Sequence, residues 1–172
     1  PLGERFRHLQ ALRIDYQILP GVTATAASAA LLGCELTLPE VAQSVILTRF
    51  GENSPMPAGE RLEDLARHGT TLAIHLGVKH LARIVELLLP HYGPQCPVAV
   101  VHRATWPDQD WVRGTLADIV AGVAAKGFRR TAVILVGHVL GETTFAECAL
   151  YRDGHAHLYR PAGGVLQGTA KR

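Results

Sequence analysis

The sequence predicts an α/β fold in which helices cover both faces of a sheet, and three observations carry that expectation. Short runs at 71–76, 97–101 and 131–136 are apolar almost throughout, the pattern of strands buried on both sides. Between them lie longer stretches with apolar residues at helical spacing, such as Leu81, Ile84, Val85 and Leu88. The 172 residues are 48% hydrophobic and 19% charged, enough for one core of domain size and too apolar for a disordered chain.

Taken in order, Phe6, Leu9 and Leu12 mark a first helix. Ile14, Tyr16 and Ile18 alternate as a strand ended by Pro20-Gly21. Thr23 is placed to cap an Ala-rich helix over 24–32, with Gly33 at its C-terminal cap. A loop, LTLPEVA, leads to a strand at 44–48. The glycines and prolines of 50–59 make a second loop, and Leu62, Leu65 and Ala66 a short helix. The strand at 71–76 precedes a helix over 78–89, and the strand at 97–101 is followed by a further one at 111–115. A helix over 116–125, the strand at 131–136 and a loose tail over 152–172 complete the chain.

Composition narrows the function. A net charge of +2 is too small for bulk electrostatic binding of nucleic acid, and no apolar run approaches the roughly 20 residues of a membrane span. Cys34, Cys96 and Cys148 are widely spaced with no CxxC, the pattern of buried thiols in the reducing cytoplasm. His155 and His157 alternate like metal ligands but lack a third partner, so no metal is expected. The chain opens directly on a helix-like stretch, PLGERFRHLQ, which predicts an N-terminal portion before it.

Ligands of open α/β sheets settle beyond the carboxyl ends of the strands. Arg49 follows the strand at 44–48. His75, Leu76, Gly77 and Lys79 follow that at 71–74, His102, Arg103 and Ala104 that at 97–101, and Gly137 and His138 that at 131–136. Small residues there admit close backbone contact, and cations can meet carboxylates. The turn Pro20-Gly21-Val22-Thr23-Ala24 is a second candidate, because the following helix aims free amides at whatever binds. Glu40 and Glu52 flank the strand ending in Arg49 as candidate bases or as partners for ring nitrogens of a ligand.

Four blocks resemble the tetrapyrrole methylase family: PGVTATAASAALLGCELTLPEVAQSVILTR, TTLAIHLG, CPVAVVHRATWPDQDWVRGTLADI and TAVILVGHVLG. They fall in family order over about 14–151. LTLPEVAQSVILTR, the SPMP loop and HRATWPD mark the branch acting on precorrins rather than the uroporphyrinogen methylases. The resemblance implies a mixed sheet with helices on both faces, spanning 1–151 as the C-terminal region of the fold. Residues 1–12 would then be the last helix of a preceding domain. It also implies methyl transfer from S-adenosylmethionine to a ring carbon of a precorrin, and a homodimer.

Carried over by position, Thr23, Ala24, Leu76, Ala104 and Gly137 would contact the cofactor. Arg49, Arg103 and Lys79 would meet acetate and propionate groups of the tetrapyrrole, where arginine's fork suits carboxylates. Glu40 is the candidate for taking a proton. The family's GxGPGD-type and SGDP-type loops are not in this sequence. Two alternatives stay open: a methylase of the same fold acting on another substrate, including a diphthine synthase, and a non-catalytic binding or dimerisation module.

Overall fold

A computed structural model describes residues 2–51 and 55–142. Glu52, Cys148, His155, His157 and the 152–172 tail lie outside them. The elements in chain order are α1 (Leu2–Ala11), α2 (Ala24–Leu32), β1 (Val45–Arg49), α3 (Leu62–Ala66), β2 (Thr71–His75), α4 (Leu81–Tyr92), β3 (Pro97–His102), β4 (Asp110–Thr115), α5 (Ile119–Lys126) and β5 (Ala132–Val136). Single 3-10 turns at Val78–His80 and His138–Leu140 follow β2 and β5.

Among the described residues five strands form one mixed sheet in the order β1-β2-β5-β3-β4. The β1–β2 pair is parallel, while β2–β5, β5–β3 and β3–β4 are antiparallel. The period of two divides the apolar strands between two cores. Leu72, Ile74, Val98, Val100, Ile134 and Val136 pack with residues of α3, α4 and α5 on one face. Ala73, Ala99, Val101, Val133 and Leu135 pack with Leu32 of α2 on the other. Helices therefore cover both faces, as the apolar runs predict.

Local chemistry sets the helix ends. Thr23 accepts a hydrogen bond from the Ala26 amide (3.2 Å), and Gly33 closes α2 in the left-handed region. The last helix starts at Ile119, three residues later than periodicity suggests. The Thr115 amide donates to Asp118 Oδ1 (2.6 Å), which closes a turn first. The expected strand at Ile14–Ile18 does not form among the described residues. The segment belongs to no helix or strand, and its apolar side chains are exposed, apart from a stack of Tyr16 on Phe6 at 4.9 Å. Alternation sets where side chains point, but a strand also needs a neighbour's amides and carbonyls.

Candidate functional site

Strand direction decides what meets at each end of the sheet. β2 and β3 run the same way, and β5 runs oppositely between them. Arg49, His75, His102 and the start of β5 therefore share one rim, with Arg49 opposite His75 in the β1–β2 register and His102 opposite Ala132. At that rim a cavity of about 430 Å3 opens under the N-terminus of α2. Ala24 and Ser28, one helical turn apart, form its roof, and Val101, Ala104, Ala132 and Val133 supply apolar wall. His75, Leu76, Lys79, Arg103, Arg129 and Arg130 also line it, and among the described residues no carboxylate does.

The backbone of this rim is strained. Leu76, Arg103, Thr105 and Thr131 all have positive φ, at 59°, 51°, 72° and 55°. Such angles are uncommon outside glycine and cost on the order of 1–3 kcal/mol each. Leu76 is also 77% exposed, so packing does not hold it there. Next to it Gly77 has no room for a side chain, since a Cβ would come within 2.6 Å of Ile84 Cδ1.

Two contacts fix the polar groups. Thr25 Oγ1 lies 2.9 Å from His75 Nε2, joining the first turn of α2 to the end of β2. Burial pushes the His75 imidazole below its ordinary value, so the neutral ring is favoured. Arg103 forms an ion pair with Asp108 and stacks its guanidinium 4.3 Å from the Trp106 ring centroid.

Of the residues singled out in the sequence, Ala24, Leu76, Ala104, Lys79 and Arg103 meet in this cavity. Thr23 caps the helix immediately before Ala24, and Arg49 lies one strand outward on the same rim. Two residues do not join them. Gly137 follows β5, whose carboxyl end is at the opposite rim, about 13 Å away over four strand steps. There a Cβ on Gly137 would be 3.2 Å from Thr71 Cα. Glu40, at φ 65°, sits in the tight Leu38–Ala42 loop that leads to the amino end of β1. The expectation that every strand empties onto one site fails because β5 is antiparallel.

Arg129, Arg130, Thr131 and Trp106 are cavity residues that a search after strands misses. The first three precede β5, so finding them needed its direction. Among the described residues no cluster of three potential metal ligands occurs, and no helix is long and apolar enough to cross a membrane.

Comparison with known proteins agrees with this architecture. A precorrin-4 C(11)-methyltransferase of Pseudomonas aeruginosa is 68% identical over 160 residues, 93% of this chain and 64% of that protein. The chain thus spans about two thirds of that relative's length. The solved structure of a cobalt precorrin-4 methyltransferase superposes with a TM-score of 0.76 at 37% identity, covering 81% of this chain and 59% of that one. A uroporphyrin-III C-methyl transferase from Thermus thermophilus, complexed with S-adenosylhomocysteine, gives 0.60 at 28% identity over 81% and 60%. The family model for tetrapyrrole (corrin/porphyrin) methylases matches residues 2–120, and the chain belongs to that family.

Proposed function

We propose that this protein takes part in S-adenosylmethionine-dependent C-methylation of precorrin-4 at C-11, in cobalamin biosynthesis. The observation that carries the reading is the rim cavity: apolar and small-residue walls, a strained exposed Leu76, cationic flanks and, among the described residues, no carboxylate. The 68% identity to a relative named for that reaction supports the choice of substrate within the family.

When bound, the cofactor supplies a sulfonium methyl, an electrophile that needs no acid. The protein's task is then positioning, which supplies much of the rate in a displacement of this kind. Thr23 and Ala24 present the open first turn of α2, and Ala104 keeps the wall shallow. Leu76 projects an apolar side chain from a backbone held in a costly conformation, as expected of a residue kept for contact rather than packing. The Thr25–His75 contact fixes α2 relative to β2, and with them Ala24 relative to Leu76. Arg49, Lys79 and Arg103 face the substrate's carboxylates.

Self-association as a homodimer is the assembly that fits the family. The exposed apolar side chains Leu12, Ile14, Ile18, Leu19 and Val22 offer surface for it. The free thiols Cys34 and Cys96 suit a reducing cytoplasm. Titration calorimetry with S-adenosylhomocysteine tests the cavity, with saturable binding weakened about tenfold by Leu76→Asp as the expected result. Binding indifferent to that substitution overturns the assignment. Transfer of a labelled methyl group to precorrin-4 tests the substrate, and transfer to another corrin precursor in its place would replace it.

A further inference from the structure

We propose that Arg129 and Arg130, together with Lys79, form a carboxylate-binding site on the cavity wall and are the residues by which this pocket selects acidic ligands. The inference rests on the reading of the cavity as the ligand pocket, but not on the identity of the methyl acceptor.

The argument begins with charge. Among the described residues four cationic side chains line the cavity and no acidic one does. Arg103 is partly engaged by Asp108 and by the face of Trp106, which leaves the other three cations. Lys79, Arg129 and Arg130 form no ion pair among the described residues. Three cations gathered without a counter-charge repel one another and raise the local potential for an anion. His75 adds nothing to them at neutral pH, since burial favours its neutral ring.

The backbone then shows that the two arginines are held in place. They lie between two fixed points. On one side Phe128 is buried and its ring stacks on His102 at 4.8 Å. On the other, Thr131 is held at φ 55°, and its carbonyl accepts from the Arg103 amide at 2.9 Å. A two-residue segment pinned at both ends presents its side chains with little backbone entropy left to lose on binding. Arginine is also the right cation, because its planar fork meets a carboxylate through two parallel bonds.

Position adds a last element. Lys79 and Arg129 also line a second groove, between the start of α4 and α5. The cations thus stand where the cavity passes into that groove, at the edge of a ligand rather than over its centre. Carboxylates on the periphery of a larger apolar body suit that place. They could belong to the amino-acid end of the cofactor or to the side arms of a macrocycle, and the shared chemistry is the carboxylate.

The test uses the 172-residue chain with three probes. S-adenosylhomocysteine carries one carboxylate, 5′-methylthioadenosine keeps the nucleoside and lacks it, and uroporphyrin carries eight. Calorimetry reads the first two, and quenching of tryptophan fluorescence, from Trp106 and Trp111 together, reads the third. Arg129→Ala/Arg130→Ala should weaken a carboxylate-bearing probe at least tenfold and leave 5′-methylthioadenosine unchanged. Loss confined to S-adenosylhomocysteine assigns the site to the cofactor's carboxylate, and loss confined to uroporphyrin assigns it to the macrocycle. Arg129→Lys/Arg130→Lys should recover part of the loss, which a folding defect would not allow. Equal affinities in wild type and variant overturn the inference while leaving the pocket intact, as does an equal loss for 5′-methylthioadenosine. A wild-type chain that binds none of the three overturns the pocket reading and the inference with it.

Discussion

The two rims of the sheet are built from the same strands by opposite rules. At the cavity rim, Leu76, Arg103, Thr105 and Thr131 occupy left-handed backbone without glycine, and several of the side chains are exposed. At the opposite rim positive φ falls to Gly137 and to Glu40 in the loop before β1, and polar groups are satisfied inside the protein. Thr71 donates to the Leu36 carbonyl at 2.8 Å and Tyr92 to the Thr70 carbonyl at 2.5 Å. Burial pushes the Cys96 thiol up to about 11 and raises the Tyr92 phenol as well, so both stay protonated. One rim gathers four strained residues and a set of cations around its cavity, and the other ties its polar groups into the protein beside a separate cavity of about 380 Å3 lined by Ser44, Gly69 and Thr70. The lesson is that cations gathered beside small and apolar walls, rather than strain alone, set the cavity rim apart.

The comparison breaks most readily at the structural rim. Gly137→Ala places a Cβ 3.2 Å from Thr71 Cα at a φ of 154°. It should cost about 2 kcal/mol in urea-unfolding stability with no direct effect on S-adenosylhomocysteine affinity. A change in affinity without a loss of stability would return Gly137 to the ligand site.

Leu76→Asn should act in the opposite sense. Asparagine tolerates the left-handed conformation, and the exposed leucine gives up little burial. Stability should therefore rise by about 1 kcal/mol while S-adenosylhomocysteine binding falls. A destabilised variant would show that Leu76 is held by packing after all.

His75 supplies a smaller, pH-dependent difference. Its folded pKa lies below the ordinary 6.5, so the unfolded chain binds more protons as pH falls past that value. The stability this group contributes is present above about pH 6.5 and is lost as pH falls through that value toward the folded pKa. In His75→Gln the urea midpoint should vary less between pH 7 and pH 5 than in wild type. Identical pH profiles would sink the assignment.

The smallest effect belongs to Asp108→Asn. It breaks an exposed ion pair and should change stability by no more than about 0.5 kcal/mol. By freeing Arg103 it should tighten binding of acidic ligands, and weaker binding would mean that Asp108 orients Arg103 for the ligand.

Much of this was legible in the sequence, for identifiable reasons. Thr23 and Gly33 marked both ends of α2, because capping chemistry is local and needs no partner. Thr71–His75, Pro97–His102 and Ala132–Val136 were legible as strands, because burial on both faces leaves continuous apolar runs. Direction was not legible. A period of two reads the same forwards and backwards, so pattern alone groups Gly137 with Leu76 and gives no sign of Arg129 and Arg130. The alternation at Ile14–Ile18 misled for a related reason, since pattern says nothing about whether a neighbour exists. The positive φ of Leu76 had no signal in its residue type at all.

The strand order β1-β2-β5-β3-β4 has one more consequence, for assembly over time. The central strand is the last of the five to be synthesised. Before residues 132–136 emerge, the nascent chain can form only two separate ladders, β1 with β2 and β3 with β4, each with a bare inner edge. Insertion of Ala132–Val136 joins the halves and brings Arg129 and Arg130 to the rim in the same event. The rim cavity is therefore completed by the step that joins the two ladders, and a chain ending before β5 should show neither cooperative unfolding nor ligand binding.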